Sequence, residues 1–262
     1  MGENRMARIS LIGTLVLVTL FVGCCVNVGD DYRAKAQRSE DLTAPTADLA
    51  GLDVRTNVGT ITLDSADVGE VRITAEITVK AKTQEEAEAL IEQVRIVAER
   101  SGRTLIVKAE KPSNFGRNQL AVDFHITAPA RLALDCTTNV GDIRIAGFAD
   151  RVAAKTDVGT IRCADLRGDA DLRTNVGDIE ATYTADAPAA LAVSATTNVG
   201  NIDFAGPDRM SARLGASVNV GSIDTERPLT VTGPIRKSIK ATIGEAEGNI
   251  TLRTNVGSIR IR

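Results

Sequence analysis

Thr138-Asn139-Val140-Gly141-Asp142-Ile143, Thr156-Asp157-Val158-Gly159-Thr160-Ile161 and Thr174-Asn175-Val176-Gly177-Asp178-Ile179 are three renderings of one phrase, set 18 residues apart. Further copies begin at Thr56, Thr197, Val218 and Thr254. A unit this short cannot bury an apolar face alone, so it must stack on copies of itself. Alternation carries Leu134, Cys136, Thr138, Val140, Ile143 and Ile145 over Val152, Ala154, Thr156, Val158, Ile161 and Cys163. Those lie over Ala170, Leu172, Thr174, Val176, Ile179 and Ala181. The side-chain register switches across the glycine, as a bend between two short strands requires. The reading is all-β: a β-solenoid, β-helix-like, of short stacked rungs. A propeller blade would need about twice this period.

Working outward, Asn57, Asn139, Asn175, Asn198, Asn219 and Asn255 should align as a structural ladder of amides. Each inter-rung amide hydrogen bond would contribute about 1 kcal/mol net. Asp157, and Thr242 in the degenerate copy Ala241-Thr242-Ile243-Gly244, should interrupt it. That degenerate copy would let two rungs fill the interval between Gly221 and Gly257. Ile259-Arg260-Ile261-Arg262 closes the chain on a strand with nothing after it, an open edge through which copies could associate end to end.

Between the first copy and the second lies an insertion of another kind, about 71–128. Val71 to Val79 alternates as a strand, and Thr83-Gln84-Glu85-Glu86 is a capping box before the apolar stripe Ala87, Leu90, Ile91 and Val94. Arg95–Arg100 and Thr104–Ala109 flank the turn Ser101-Gly102, and Leu120–Ile126 is a further strand leading back to the solenoid. The helix should cover an end or face of the sheet.

The N-terminus is a targeting segment. Arg5 and Arg8 precede the apolar run Ile9 to Val22, and Phe21-Val22-Gly23-Cys24 has the form of a lipobox. The favoured reading is a signal peptide over 1–23 and lipid attached at Cys24. An uncleaved anchor over Ile9–Val28 and plain secretion are the alternatives. All three place the body outside the cytoplasm. Residues 24–47 are polar and aperiodic, read as a flexible tether, and 48–262 as the solenoid domain.

Composition excludes several chemistries. The net charge is −3, which argues for no nucleic-acid partner, and aromatics are 3% with no Trp, which argues against ring-stacking platforms. His125 is the only histidine and faces outward, so no zinc site can be built on it. Asp142, Asp157 and Asp178 could approach one another at adjacent turns, but such residues ordinarily satisfy the turn itself. Cys136 and Cys163 fall on inward positions of neighbouring rungs and read as small buried apolar residues. No catalytic, metal or cofactor set is expected.

With these residues quoted, the chain resembles the bacterial "putative adhesin" family, domain of unknown function 4097. The carrying segments are Thr83-Gln84-Glu85-Glu86-Ala87-Glu88, Ile126-Thr127-Ala128-Pro129 and the phrases from Thr138 onward. The resemblance covers roughly residues 49–262 and implies a β-solenoid on envelope-associated or secreted proteins. It carries over no catalytic or ligand residue. The expected function is a non-enzymatic, membrane-attached module contacting an envelope protein or glycan. The alternatives are an envelope-stress sensing or regulatory lipoprotein, and last a polysaccharide-active enzyme.

Overall fold

The computed structural model describes residues 34–227, 230–231 and 237–262. The leader, Cys24 and the first part of the expected tether lie outside them. The first section comprises β1 (Ala34–Pro45), β2 (Gly51–Arg55), β3 (Ile61–Ser65), β4 (Glu70–Ala81), α1 (Gln84–Ile91), β5 (Arg95–Ser101), β6 (Thr104–Glu110) and β7 (Gln119–Ala128). In the regular section each rung is two successive strands, β8 (Ala133–Thr137) and β9 (Ile143–Ala146), β10 (Val152–Val158) and β11 (Ile161–Leu166), then β12 (Ala170–Val176) and β13 (Ile179–Tyr183). It continues through β14 (Ala192–Val199), β15 (Ile202–Ala205), β16 (Ala212–Val220) and β17 (Ile223–Thr225). The chain closes with β18 (Thr230–Val231), β19 (Ser238–Ile243), β20 (Gly248–Val256) and β21 (Ile259–Ile261).

The strands form two sheets. One runs β1-β4-β7-β3-β9-β11-β13-β15-β21-β17; the other runs β18-β19-β16-β20-β14-β12-β10-β8-β2-β6-β5. Each phrase turns the chain from the second sheet into the first, so every rung contributes one strand to each. The columns stack in parallel as the period demands: Leu134 on Val152 on Ala170, and Ile143 on Ile161 on Ile179. Their apolar side chains meet in one continuous core between the sheets. The insertion forms the far end, where β4 runs antiparallel to both β7 and β1.

Three expectations are corrected here. The tether is structured from residue 34, because β1 pairs with β4 along its whole length, from Ala34 opposite Ala81 to Pro45 opposite Glu70. Only Ala36 and Ala44 are buried on it, so its sequence shows no apolar period. Helix α1 shelters this edge, and Arg38 Nη2 donates to the Val94 carbonyl just beyond the helix at 2.7 Å. Thr83 caps the helix as expected, its Oγ1 accepting from the Glu86 N–H at 3.2 Å.

The second correction concerns order. The last rung in sequence, β20 with β21, is inserted between β14–β15 and β16–β17. Ile259 lies beside both Ile202 and Ile223, and Leu252 beside both Ala195 and Ala216. The C-terminal strand is therefore interior, and the edge expected there belongs to β17. The degenerate copy around Thr242 makes no rung: β19 runs antiparallel to β16.

The third correction is the valine of the phrase, which was expected inside. Val58, Val140, Val158, Val176, Val199, Val220 and Val256 are 41–61% exposed. Most of these strands end at the valine itself, and there alternation breaks: the residue before it and the valine both face outward before glycine brings the following isoleucine in. The threonine does face inward, and its hydroxyl is buried. Thr156, Thr174, Thr197 and Thr254 each donate to the glycine carbonyl of the adjoining rung at 2.9–3.1 Å. Thr174→Val should therefore cost about 1–2 kcal/mol, since it strips the Gly159 carbonyl of a buried donor. Urea denaturation would show the midpoint fall; an unchanged midpoint would mean the hydroxyl adds nothing.

Cys136 and Cys163 are free and buried, facing the core from opposite sheets. Burial pushes the Cys136 thiol well above its ordinary 9.0 and the Cys163 thiol up to about 12. Folding raises both values, so the native state keeps its full advantage below the ordinary thiol value of 9.0 and loses it as pH climbs toward about 12. Thiol reagents should label neither cysteine at neutral pH in the native protein and both after unfolding. Rapid labelling of folded protein would contradict this packing.

Candidate interaction surface

The turns build a straight ridge along one side of the solenoid, with neighbouring copies roughly 4.8 Å apart. Two rows of side chains crown it. One is the valine column. The other is the amide ladder, in which Asn219 donates to Asn255, Asn255 to Asn198, Asn198 to Asn175 and Asn175 to Asp157, at 3.0–3.1 Å. The bonds all point one way, because each amide donates through Nδ2 and accepts through Oδ1. Asp157 ends the run: its carboxylate accepts and has no proton to pass on. Among the described residues, the Asn57 and Asn139 side chains make no such bond, so the ladder joins four of the six expected asparagines to Asp157.

The residue after the glycine has a different task. Asp142 Oδ1 accepts the Thr160 N–H at 2.9 Å, and Asp178 Oδ1 accepts the Asn201 N–H at 2.7 Å. Asn201 Oδ1 accepts the Ser258 N–H at 2.9 Å. Asp142 also holds Arg144 at 2.6 Å. These carboxylates satisfy backbone donors of the next turn. His125 is exposed on β7 and pairs with Thr62 and Thr74 in the sheet register. Among the described residues no three His, Cys, Asp or Glu side chains gather as a metal site, and no helix is long and apolar enough to cross a membrane.

Two concavities complete the surface. On the outer face of the second sheet, small residues Ala192, Ser194 and Thr196 of β14 lie in a furrow between Arg173 on β12 and Arg253 on β20. Its charge is mixed, with Asp171 holding Arg173 through paired bonds of 3.0 Å. At the insertion end, beyond the first phrase turn, lies a deeper cleft of about 670 Å³. Sequence reading did not find it, because its walls come from four separate segments and no single stretch carries the pattern.

This geometry is that of a β-solenoid domain with a strand-helix-hairpin end. The profile of the family described as Toastrack DUF4097 matches residues 41–262, and the chain belongs to that family. Among solved structures, a "putative cell adhesion protein" from Clostridium sporogenes aligns over 86% of this chain and 99% of its own, at 14% identity and a TM-score of 0.50. A "putative adhesin" from Bacteroides fragilis covers 86% and 97%, at 15% identity and a TM-score of 0.35. At these identities the first of these likenesses speaks for the fold alone, and the second carries no weight. No curated protein matches the chain.

Proposed function

We propose that the protein is a non-enzymatic interaction module of the bacterial cell envelope, held at the membrane through Cys24 and contacting a protein or glycan with its ridge and the adjoining sheet face. The observation that carries this reading is the ridge itself. A soluble domain rarely sets seven valines in a row toward water, and a continuous apolar row beside a polar ladder is a surface suited to contact. The carboxylates on the same ridge are engaged by backbone N–H groups, which supports binding over turnover. The name of the Clostridium sporogenes protein that shares this fold, a "putative cell adhesion protein", agrees with that reading.

The test is a crosslinking pull-down from intact cells, comparing the native chain with Val158→Asp/Val176→Asp. The variant should fold yet lose captured partners. Partners retained equally by both would remove the ridge from the proposal. In parallel, Asp142→Asn/Asp157→Asn/Asp178→Asn keeps every Oδ1 acceptor. Turnover of any envelope polysaccharide by the native chain, abolished in this variant, would replace the reading with an enzyme.

A further inference from the structure

The first rung differs from the others in what lies beyond it. In successive rungs the asparagine carbonyl accepts two N–H groups of the next turn. Asn57 O takes Asn139 N–H at 3.2 Å and Val140 N–H at 3.0 Å; Asn139 O takes Asp157 N–H at 3.2 Å and Val158 N–H at 2.9 Å. The N–H groups of each turn thus point back toward the preceding layer. Before the first turn that layer is β6 and β7, and no phrase joins them. Residues 111–118 make a detour instead, through a 3-10 turn at Ser113–Phe115. Among the described residues, the N–H groups of Asn57 and Val58 have no acceptor, and neither does the Asn57 amide.

These donors stand at the cleft of about 670 Å³, a volume within the usual range for ligand sites. Its floor is apolar, from Val58, Ala109, Leu120 and Ala121, and its rim carries Arg55, Lys80, Lys108 and Lys111. Among the described residues no carboxylate lines it. Arg55 is engaged by Asp53 and Lys108 by Glu110, while Lys111 lies 5.8 Å from the centre of the Phe115 ring. Lys80 has no ion pair among the described residues.

We propose that this cleft captures the free C-terminal carboxylate of a partner protein whose last side chain is apolar. In the rungs below, the equivalent N–H pair takes a peptide carbonyl; a terminal carboxylate offers an oxygen at the same place and adds the negative charge that the lysines complement. The last side chain then rests on Leu120 and Ala121. This deepens the interaction reading and rests on it for the class of partner only.

The test uses the full chain in detergent micelles and fluorescein-labelled hexapeptides ending in Leu, Val, Ile or Asp, each as free acid and as amide. Fluorescence anisotropy should show the acids with apolar ends binding, and their amides and the Asp-ended peptide at least about tenfold weaker. Lys80→Gln/Lys111→Gln, which changes exposed side chains only, should weaken binding by about tenfold with an unchanged melting temperature. Leu120→Asp should abolish it. Equal binding of acids and amides overturns the proposal. So does failure of every acid to bind, or binding of hexadecanoate where peptides fail, which would make the cleft a lipid site. Captured partners that depend on the ridge but not on Lys80 and Lys111 would sink the cleft while leaving the interaction module standing.

Discussion

Gly177→Ala should destabilise the protein by more than about 3 kcal/mol, enough to leave much of it unfolded at 37 °C. Gly177 has φ of 144°, where an L side chain is strained. A Cβ there would also land inside the backbone carbonyl of Gly159 on the adjoining rung. Backbone cannot swing aside as a flexible side chain can, so two rungs would have to part and the Thr174 bond between them would be lost. Gly215→Ala is the matching control. Gly215 lies in mid-strand on β16, with its nearest obstacle, the Ile250 carbonyl, 4.0 Å from a built Cβ. That substitution should be neutral or stabilising by up to about 1 kcal/mol. Equal denaturation midpoints for the two variants would show that stacking does not depend on the missing Cβ.

Ending the chain at Glu247 should have the other large effect. In a solenoid threaded in order, losing the last rung would shave one end and leave the rest folded. Among the described residues, all strand pairing between β14–β15 and β16–β17 runs through β20 and β21. Their removal exposes two inner edges at once and frees β16 and β17 from the stack. Hydrogen exchange should show residues 212–225 as unprotected as a random chain, while residues 133–183 keep their protection. Protection persisting over 212–225 would mean that β16 can dock directly on β14.

The sequence made the rungs legible because Thr and Ile keep strict inward positions, and a period of two needs only a few repeats to be recognised. Alternation failed at the valines. A strict period of two puts Val inward, but in the last two residues of these strands Asn and Val face water in succession. Strand β1 was invisible because its buried face is two alanines, and it owes its place to β4 and α1 more than to its own side chains. The spatial order of the last two rungs could not be read from interchangeable copies. In the structure the end rung shows its place through Ile223, which is only partly buried where Ile202 and Ile259 are fully buried. The amide ladder was half legible. The column of asparagines was plain, but its direction and its stop at Asp157 depend on where protons sit. The cleft was not legible, since it arises where a phrase is missing.

The intercalated rung also sets a timetable. A chain leaving a ribosome or a translocon presents residues 34–205 before the rest of the domain, and those can zip up layer by layer as they emerge. Strands β16 and β17 arrive next but have no neighbour in the stack until residues 248–262 slide in ahead of them. The domain is thus locked by the rung of residues 248–262, and until that rung is in place β16 and β17 stand apart from the layers already stacked.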